Sequence, residues 1–398
     1  MPLSDTTIAV VKATVPALEQ HGLAITRRMY DRMFRNPEIR DLFNQSHHGE
    51  TGSQPKALAA AVLAYAKHID NLGVLSGAVE RIAQKHAGLV ILPEHYPHVA
   101  EALLGAIGDV LGEAATPEIL EAWGEAYWTL AGILIGREAE IYRDMARARG
   151  GWRGWRRFVV AERTAESAII TSFQLRPADG GPVMRHRPGQ YLTFRLQIPG
   201  QPALKRNTAS PSAPDDRGYR ISVKREERGA ASTWLHDHAP PGAVLEVAPP
   251  AGEFFLSERP ERPVVLLSGG VGLTPLLSML ETIAAAHPGL ETHWVHGGAG
   301  RAGPGLRAAR RRAGGELPGL RATTFLESPR AEEAGRAEAG RVTPDWLRRN
   351  TPVGAADYFL CGPKPFLRDL VGGLAAAGVP AGRIHYEFFG PADELLAA

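Results

Sequence analysis

Up to Arg147, apolar residues recur every three or four positions, the spacing of helices that bury one face. Leu23, Tyr30, Met33 and Phe34 lie close together in one such segment, and Leu58, Val62, Tyr65, Ile69 and Leu72 form a stripe with polar Gln54 at its head. Val79, Ile82, Ala83 and His86 make another stripe. The longest runs through Leu120, Trp123, Tyr127, Leu130, Leu134, Glu138 and Ile141, in a helix expected from about Pro117 to Met145 behind a Thr116 cap. The run RARGGWRGWRRF, Arg147 to Phe158, breaks this pattern and reads as a linker with aromatic anchors. Beyond it the period drops to two. Leu192, Phe194, Leu196 and Ile198 alternate with Tyr191, Thr193, Arg195 and Gln197, and Tyr219, Ile221 and Val223 alternate with polar neighbours. That spacing predicts an antiparallel sheet with one buried face. From about Arg262 short apolar strands, Val264 to Leu267 and Thr292 to His296, alternate with helical stretches, which predicts a parallel sheet. The Ala-, Gly- and Arg-rich stretch from Arg301 to Arg341 reads as a surface excursion without a function.

Composition narrows the class of protein. The 398 residues are enough for two or three domains, and 44% apolar with 22% charged residues is globular. The formal charge of +2 gives no reason to expect nucleic acid or an acidic membrane as partner. Cys361 is the only cysteine, so an intrachain disulfide and a cysteine-rich metal site are excluded. The N-terminal segment lacks a basic start followed by an apolar core, and the most apolar stretch, Val264 to Leu280, is broken by Ser268, glycines and Pro275. The expectation is a cytoplasmic, monomeric protein with no transmembrane segment.

Two polar residues stand on apolar helix faces. His86 is either an ordinary packed histidine or a ligand. Glu138 continues an inward stripe, so it either reaches water at the helix end or needs a buried partner such as a phenol or an imidazole. Tyr96, early in the next helix, is a candidate phenol. Tyr30 and Gln54 can donate hydrogen bonds to a small ligand or sit at the edge of the core. Taken together they suit a five-coordinate haem iron on one imidazole, with donors facing it. A carboxylate behind the imidazole would strengthen it as a donor.

The runs YDRMF (30–34), LFN (42–44), IAQKH (82–86), PEHY (93–96), AWGEAY (122–127) and REAEIY (137–142) resemble the globin domain of flavohaemoglobins, the bacterial nitric oxide dioxygenases. The resemblance spans the chain and its domain order. It implies an all-α globin domain over 1–147, a linker over 148–157, an antiparallel β-barrel FAD domain over 158–261 and a parallel α/β NAD(P)H domain over 262–398. It implies that His86 is the proximal ligand of haem b, with Tyr96 and Glu138 as the relay behind it. Tyr30 and Gln54 would stand on the distal side, Leu58 over the iron and Phe43 as a wedge, with Lys85 where the family tunes redox potential.

The reductase half has its own motifs. Ser268-Gly269-Gly270-Val271-Gly272-Leu273-Thr274-Pro275 follows a strand, a turn that lets backbone approach a pyrophosphate, with Thr274 expected to cap the next helix and Pro275 to begin it. It is not a complete GxGxxG. Cys361-Gly362-Pro363 ends another strand, and Phe388-Phe389-Gly390-Pro391 lies near the C-terminus. These resemble the ferredoxin-reductase-like family, in which the CGP turn meets the nicotinamide and the terminal aromatic, here Phe389, covers the flavin. Arg187-Pro188-Gly189-Gln190-Tyr191 matches a motif whose Tyr contacts FAD, and Val223 to Glu227 with Gly229-Ala230-Ala231-Ser232 matches the pyrophosphate segment. Between them the family carries Arg-x-Tyr-Ser. Alignment on Gly218-Tyr219-Arg220-Ile221 places Arg206, Asn207, Thr208 and Ala209 there, so the Arg is kept and the aromatic and hydroxyl are lost.

The implied activity is oxidation of nitric oxide to nitrate by O₂ bound to ferrous haem. NADH or NADPH would reduce FAD, which would reduce the haem. A flavin is needed because hydride brings two electrons and haem iron takes one. Two other readings stay open. One is an O₂- or NO-binding globin with a vestigial reductase, favoured by Thr208 and Ala209. The other is a flavin reductase of ferric iron or peroxides.

Overall fold

The computed structural model describes residues 3–43, 53–227, 229–298, 315, 317–329 and 337–389. The chain forms two compact units. Among the described residues, one takes those up to Arg147 together with Gln197–Arg206, and the other takes Ala148–Leu196 and those from Asn207 onward.

The first unit is helical: α1 (Asp5–Ala13), α2 (Val15–Met33), α3 (Pro37–Arg40), α4 (Ser53–Lys67), α5 (Ser76–Leu89), α6 (Tyr96–Leu111) and α7 (Pro117–Arg147). The expected cap of α7 is present, the Ile119 amide donating to Thr116 Oγ1 at 3.3 Å. The stripe headed by Gln54 is not one helix. α4 stops at Lys67, and Leu72 falls in a separate 3₁₀ turn, Leu72–Leu75. The core gathers Ile25, Met29, Tyr30, Met33, Tyr65, Leu103 and Trp123. Two polar anchors tie helices across it. Trp123 Nε1 donates to Thr14 Oγ1 at 3.2 Å, and Thr26 Oγ1 donates to the Pro55 carbonyl at 2.9 Å.

The second unit holds the parallel sheet and the antiparallel one, apart from Leu204–Arg206, which belong to the first. The antiparallel one runs β4-β3-β6-β1-β2-β5, from β1 (Arg156–Ala165), β2 (Ile170–Pro177), β3 (Tyr191–Leu196), β4 (Leu204–Ala209), β5 (Tyr219–Lys224) and β6 (Val244–Val247). β1 thus takes in Arg156 and Arg157, which the texture assigned to the linker. The expected alternation is only half right. Thr193 and Ser222, placed by period on the polar face, are buried. Both have partners that make burial tolerable. Thr193 Oγ1 donates to Asn207 Oδ1 at 2.9 Å, and Ser222 Oγ shares a hydrogen bond with Ser172 Oγ at 2.7 Å. A short helix, α8 (Ala230–His238), follows β5.

The second sheet, β10-β9-β8-β7-β11-β12, is parallel throughout. Its strands are β7 (Val264–Gly269), β8 (Thr292–Gly298), β9 (Leu320–Leu326), β10 (Glu338–Ala339), β11 (Asp357–Cys361) and β12 (Ile384–Glu387). The stretch read as a surface excursion therefore supplies two strands; β9, LRATTFL, carries Arg321, Thr323 and Thr324 and buries only Phe325 and Leu326, so it shows no apolar run. α9 (Leu273–Ala286) follows β7. The cap assigned to Thr274 is also wrong. The helix begins two residues earlier, at Leu273 behind Gly272, and the Thr274 hydroxyl donates back to the Val271 carbonyl at 3.3 Å. Pro275 still falls in the first turn, where a missing N–H leaves no helical bond unmade.

One buried base sits between the two sheets of this unit. His186 is 3% exposed, and its Nε2 faces the Ser212 carbonyl at 3.1 Å and Ser278 Oγ of α9 at 3.3 Å, while Nδ1 has no partner. Burial pushes its pKa down to about 4 from 6.5, with Arg185 adding to the effect. The unfolded chain therefore binds a proton before the folded one does. Stability should hold above about pH 6.5 and fall as pH drops from about 6.5 toward about 4, by up to about 1.4 kcal/mol per unit. Urea midpoints measured across that window should fall less steeply in His186→Gln; an identical slope would assign the acid sensitivity to other groups.

Candidate functional site

In the first unit, three polar side chains from three helices meet at one oxygen. Tyr96 OH donates to Glu138 Oε1 at 2.6 Å, and His86 Nδ1 lies 2.7 Å from the same oxygen and 3.2 Å from Tyr96 OH. Glu138 is 2% exposed. An ionised carboxylate only accepts, so His86 Nδ1 carries its proton and Nε2 keeps its lone pair. No described protein group pairs with Nε2. Burial, with the hydrogen bond and charge of Glu138, pushes the Tyr96 phenol above its usual range, so it remains a donor.

The backbone around this triad is held from α7. Tyr127 OH donates to the Tyr96 carbonyl at 2.7 Å, and Tyr142 OH donates to the Ile91 carbonyl at 2.6 Å. Neither hydroxyl has a role in the sequence reading. A signal existed: both lie on the inward side of the helix that carries Glu138, where a tyrosine needs a partner for its OH. Arg137, next to Glu138, pairs with Glu80 of α5 through Nε at 2.6 Å and Nη2 at 3.1 Å.

Tyr30 is buried in the same unit, edge-on to Phe43 with centroids 5.7 Å apart and tilted against Phe34 at 5.4 Å. Leu58 packs on the same core and is half-buried. Gln54, half-buried at the start of α4, makes no hydrogen bond among the described residues. Lys85 precedes His86 and is half-buried. No group of three His, Cys, Asp or Glu side chains converges as a metal site among the described residues. His86 Nε2 therefore offers a single protein donor, in a helical unit whose partly buried apolar side chains include Phe43, Leu58 and Val62. That donor set fits haem.

In the second unit, Tyr191 OH is buried with no partner, and burial pushes its phenol up. Its ring packs against Gly252, where a Cβ would come within 2.9 Å of it. A buried phenol with no partner among the described residues fits a cofactor with polar edges, such as a flavin. Arg206 Nη1 donates to the Lys205 carbonyl at 2.8 Å; Asn207 is exposed, Thr208 half-buried and Ala209 buried. Ser232 Oγ accepts the Glu226 amide at 3.1 Å and donates to the Gly229 carbonyl at 3.1 Å, so it closes its own loop. α8 starts behind Gly229 with no side-chain cap, which leaves its first amides open.

The two remaining turns come together. Cys361 pairs in register with Ser268, so the strands carrying SGGVGLTP and CGP end side by side. A Cβ on Gly272 would stand 2.2 Å from the Cys361 carbonyl, so only glycine fits there. Ser268 Oγ is 2.8 Å from His296 Nδ1. Cys361 is fully buried, and burial raises its thiol well above the usual range, so it is no nucleophile. Phe388 is half-buried and Phe389 is 48% exposed, while Gly390 and Pro391 lie outside the described residues.

Three family models match the chain: Globin over residues 27–134, Oxidoreductase FAD-binding domain over 157–256 and Oxidoreductase NAD-binding domain over 266–371. The chain is 54% identical over 395 residues to the flavohemoprotein of Xylella fastidiosa (strain 9a5c), covering 99% of each. It is 46% identical to the flavohemoprotein of Rhodopirellula baltica, covering 99% of this chain and 100% of that one. The chain belongs to the flavohemoprotein family. Among solved structures, a flavohemoglobin from Malassezia yamatoensis with bound FAD and heme superposes with a TM-score of 0.86 at 29% identity, over 98% of this chain and 100% of that one. The FAD/NAD-binding domain of a nitric oxide dioxygenase from Vibrio cholerae matches with a TM-score of 0.54 at 34% identity, over 60% and 100%. This flavohemoprotein is thus an oxidoreductase with a helical globin domain, an antiparallel sheet of the FAD-binding kind and a parallel sheet of the NAD-binding kind. No described helix is long and apolar enough to cross a membrane.

The triad makes a stability prediction independent of any cofactor. Glu138→Leu leaves the buried Tyr96 hydroxyl with no acceptor and should cost about 1–3 kcal/mol in urea unfolding of the apoprotein. Glu138→Gln keeps a carbonyl acceptor and should cost less. Equal losses would mean that the carboxylate's hydrogen bonds contribute little to holding the three helices.

Proposed function

We propose that this flavohemoprotein is an NAD(P)H-dependent nitric oxide dioxygenase, turning two nitric oxide and two O₂ into two nitrate with one NAD(P)H. The observation that carries this reading is the convergence of His86, Tyr96 and Glu138 in a helical unit, on a chain that also matches FAD- and NAD-binding oxidoreductase models. Haem b supplies the iron where O₂ and nitric oxide meet, and FAD parts the two electrons of a hydride.

In this reading residues 1–147 hold the haem, 158–261 the FAD and 262–398 the nicotinamide nucleotide. His86 Nε2 ligates the iron. Glu138, with Tyr96, keeps the Nδ1 proton partly withdrawn and makes the imidazole more electron-rich, which favours O–O activation. Phe43 and Leu58 pack the haem and exclude water, Tyr30 and Gln54 donate hydrogen bonds on the distal side, and Lys85 tunes the potential. Tyr191, the Arg206–Ala209 segment, Gly229 and Ser232 hold FAD. The Ser268–Pro275 turn and Cys361-Gly362-Pro363 would hold the nicotinamide nucleotide, and Phe389, with Phe388 beside it in sequence, would cover the flavin ring.

Purified protein given NADH or NADPH, O₂ and nitric oxide should consume nitric oxide and release nitrate. Consumption without nitrate, or no consumption with all three cofactors present, overturns the activity. In the same preparation Tyr30→Phe should speed O₂ release at least about tenfold, because a hydrogen bond to a strongly polar acceptor is worth about 1.5–3 kcal/mol. A rate within a factor of two of the parent places Tyr30 off the distal side.

A second reading, a gas-binding globin with a weakened reductase, is favoured by Thr208 and Ala209 standing where the family carries Tyr and Ser. One aromatic face and one hydroxyl are missing from the flavin site. An aromatic pair is worth about 0.5–1.5 kcal/mol beyond its buried area, which other contacts can absorb. FAD should therefore bind, and Thr208→Tyr with Ala209→Ser should tighten it several-fold and speed haem reduction in stopped flow. No saturable binding at high micromolar FAD would favour the gas-binding reading.

A further inference from the structure

Lys205 is a charged side chain taken almost wholly out of water, 8% exposed. It lies in the Gln197–Arg206 stretch, which belongs to the same compact unit as helices α1 to α7. Its Nζ donates to the Leu89 carbonyl at 2.8 Å. Leu89 is the last residue of α5, the helix that carries His86. The closing carbonyls of a helix have no partner within it and concentrate negative partial charge. A buried ammonium placed there satisfies the carbonyl and is itself partly repaid for its lost hydration.

The turn beyond this bond is demanding. Val90 takes a left-handed conformation, φ +58°, unusual for a β-branched residue, which surrounding contacts must hold in place. Ile91 donates its amide to the His86 carbonyl at 2.9 Å and accepts from Tyr142 OH at 2.6 Å. His95 Nδ1 accepts the Leu92 amide at 3.0 Å, and burial lowers the pKa of this ring with the Lys205 charge adding to it. This turn delivers Tyr96 to Glu138. His86 lies less than one helical turn before Leu89, so a slip of the last turn of α5 carries its imidazole off Glu138 Oε1.

We propose that Lys205 is a positioning residue for His86: it locks the last turn of α5, and its charge favours the less positive, reduced state of an iron held on His86. The inference rests on the reading of His86 as the iron ligand. It assigns Lys205 no contact with substrate. Removing the ammonium should loosen the turn and lower the haem potential together, whereas a role in packing alone would leave the potential untouched.

The test uses the full-length protein and the variants Lys205→Met, which keeps the aliphatic stem, and Lys205→Arg, which keeps the charge. Hydrogen exchange of the amides from Val90 to Tyr96 should quicken about tenfold or more in Lys205→Met, given the strength of a hydrogen bond to a charged group. The haem midpoint potential, read by spectroelectrochemistry, should move negative in Lys205→Met and return toward the parent value in Lys205→Arg. Lys205→Gln is read in the same way if the Met variant does not fold. Exchange within a factor of two of the parent overturns the anchoring role. A potential that is unchanged in Lys205→Met, or not restored in Lys205→Arg, overturns the role of the charge. If the parent protein takes up no haem, the ligand reading falls, while the exchange measurement still decides whether Lys205 anchors the helix.

Discussion

A single carboxylate oxygen, Glu138 Oε1, carries the heaviest constraint in the helical unit. Taking an ionised carboxylate out of water costs several kcal/mol unless hydrogen bonds replace the hydration. Here Tyr96 and His86 supply them at 2.6 and 2.7 Å. Because both converge on one atom, α5 and α6 cannot shift independently by more than a few tenths of an ångström without losing a bond. The same constraint fixes the tautomer of His86. With Nδ1 committed to the carboxylate, Nε2 is the nitrogen left with a lone pair, and the chemistry of the site follows from that nitrogen.

α7 acts as the ruler for this arrangement. It is one unbroken helix of 31 residues, Pro117–Arg147, and brings Tyr127, Glu138 and Tyr142 to the triad from one face. Eleven residues make just over three full turns and four more make about one, so the three side chains stay in line. Two hydroxyls hold backbone carbonyls and one carboxylate holds side chains. The backbone that presents His86 and Tyr96 is thereby tied to the same helix as the group they share, which limits how far thermal motion can open the triad.

The site was legible in part where burial conflicts with polarity. A glutamate on an apolar stripe must reach water or find a partner such as a phenol or an imidazole, with Tyr96 a candidate, but it was the resemblance to flavohaemoglobins that joined His86, Tyr96 and Glu138 in one relay. Thr193 and Ser222 show the limit of that approach. Period placed them outside, and only the partners Asn207 and Ser172 make their burial acceptable. Those partners come from other strands, and no local pattern announces them. Thr274 failed for a different reason. A Thr-Pro pair suits a cap, but the approach of Gly272 to the Cys361 carbonyl sets where α9 begins. Tertiary contact overrode the local preference. β9 was missed because it shows no apolar run, although the parallel sheet pairs it along its whole length.

The two departures from expectation in the reductase half differ in kind. Gly272 cannot change, because backbone from a neighbouring strand occupies the space of its Cβ. Thr208 and Ala209 lie at the end of β4, one half-buried and one buried, and no described hydrogen bond of the fold depends on their side chains. No hydrogen bond of the described fold is lost by having Thr and Ala there. A substitution of that kind leaves the architecture intact and acts only on whatever the segment holds. The orphaned Tyr191 hydroxyl points to the same conclusion from the opposite side. It is buried with no partner among the described residues, and a bound cofactor with polar edges would supply an acceptor or donor. Where the fold leaves a polar group unsatisfied and a side chain unconstrained, the ligand rather than the core sets the sequence.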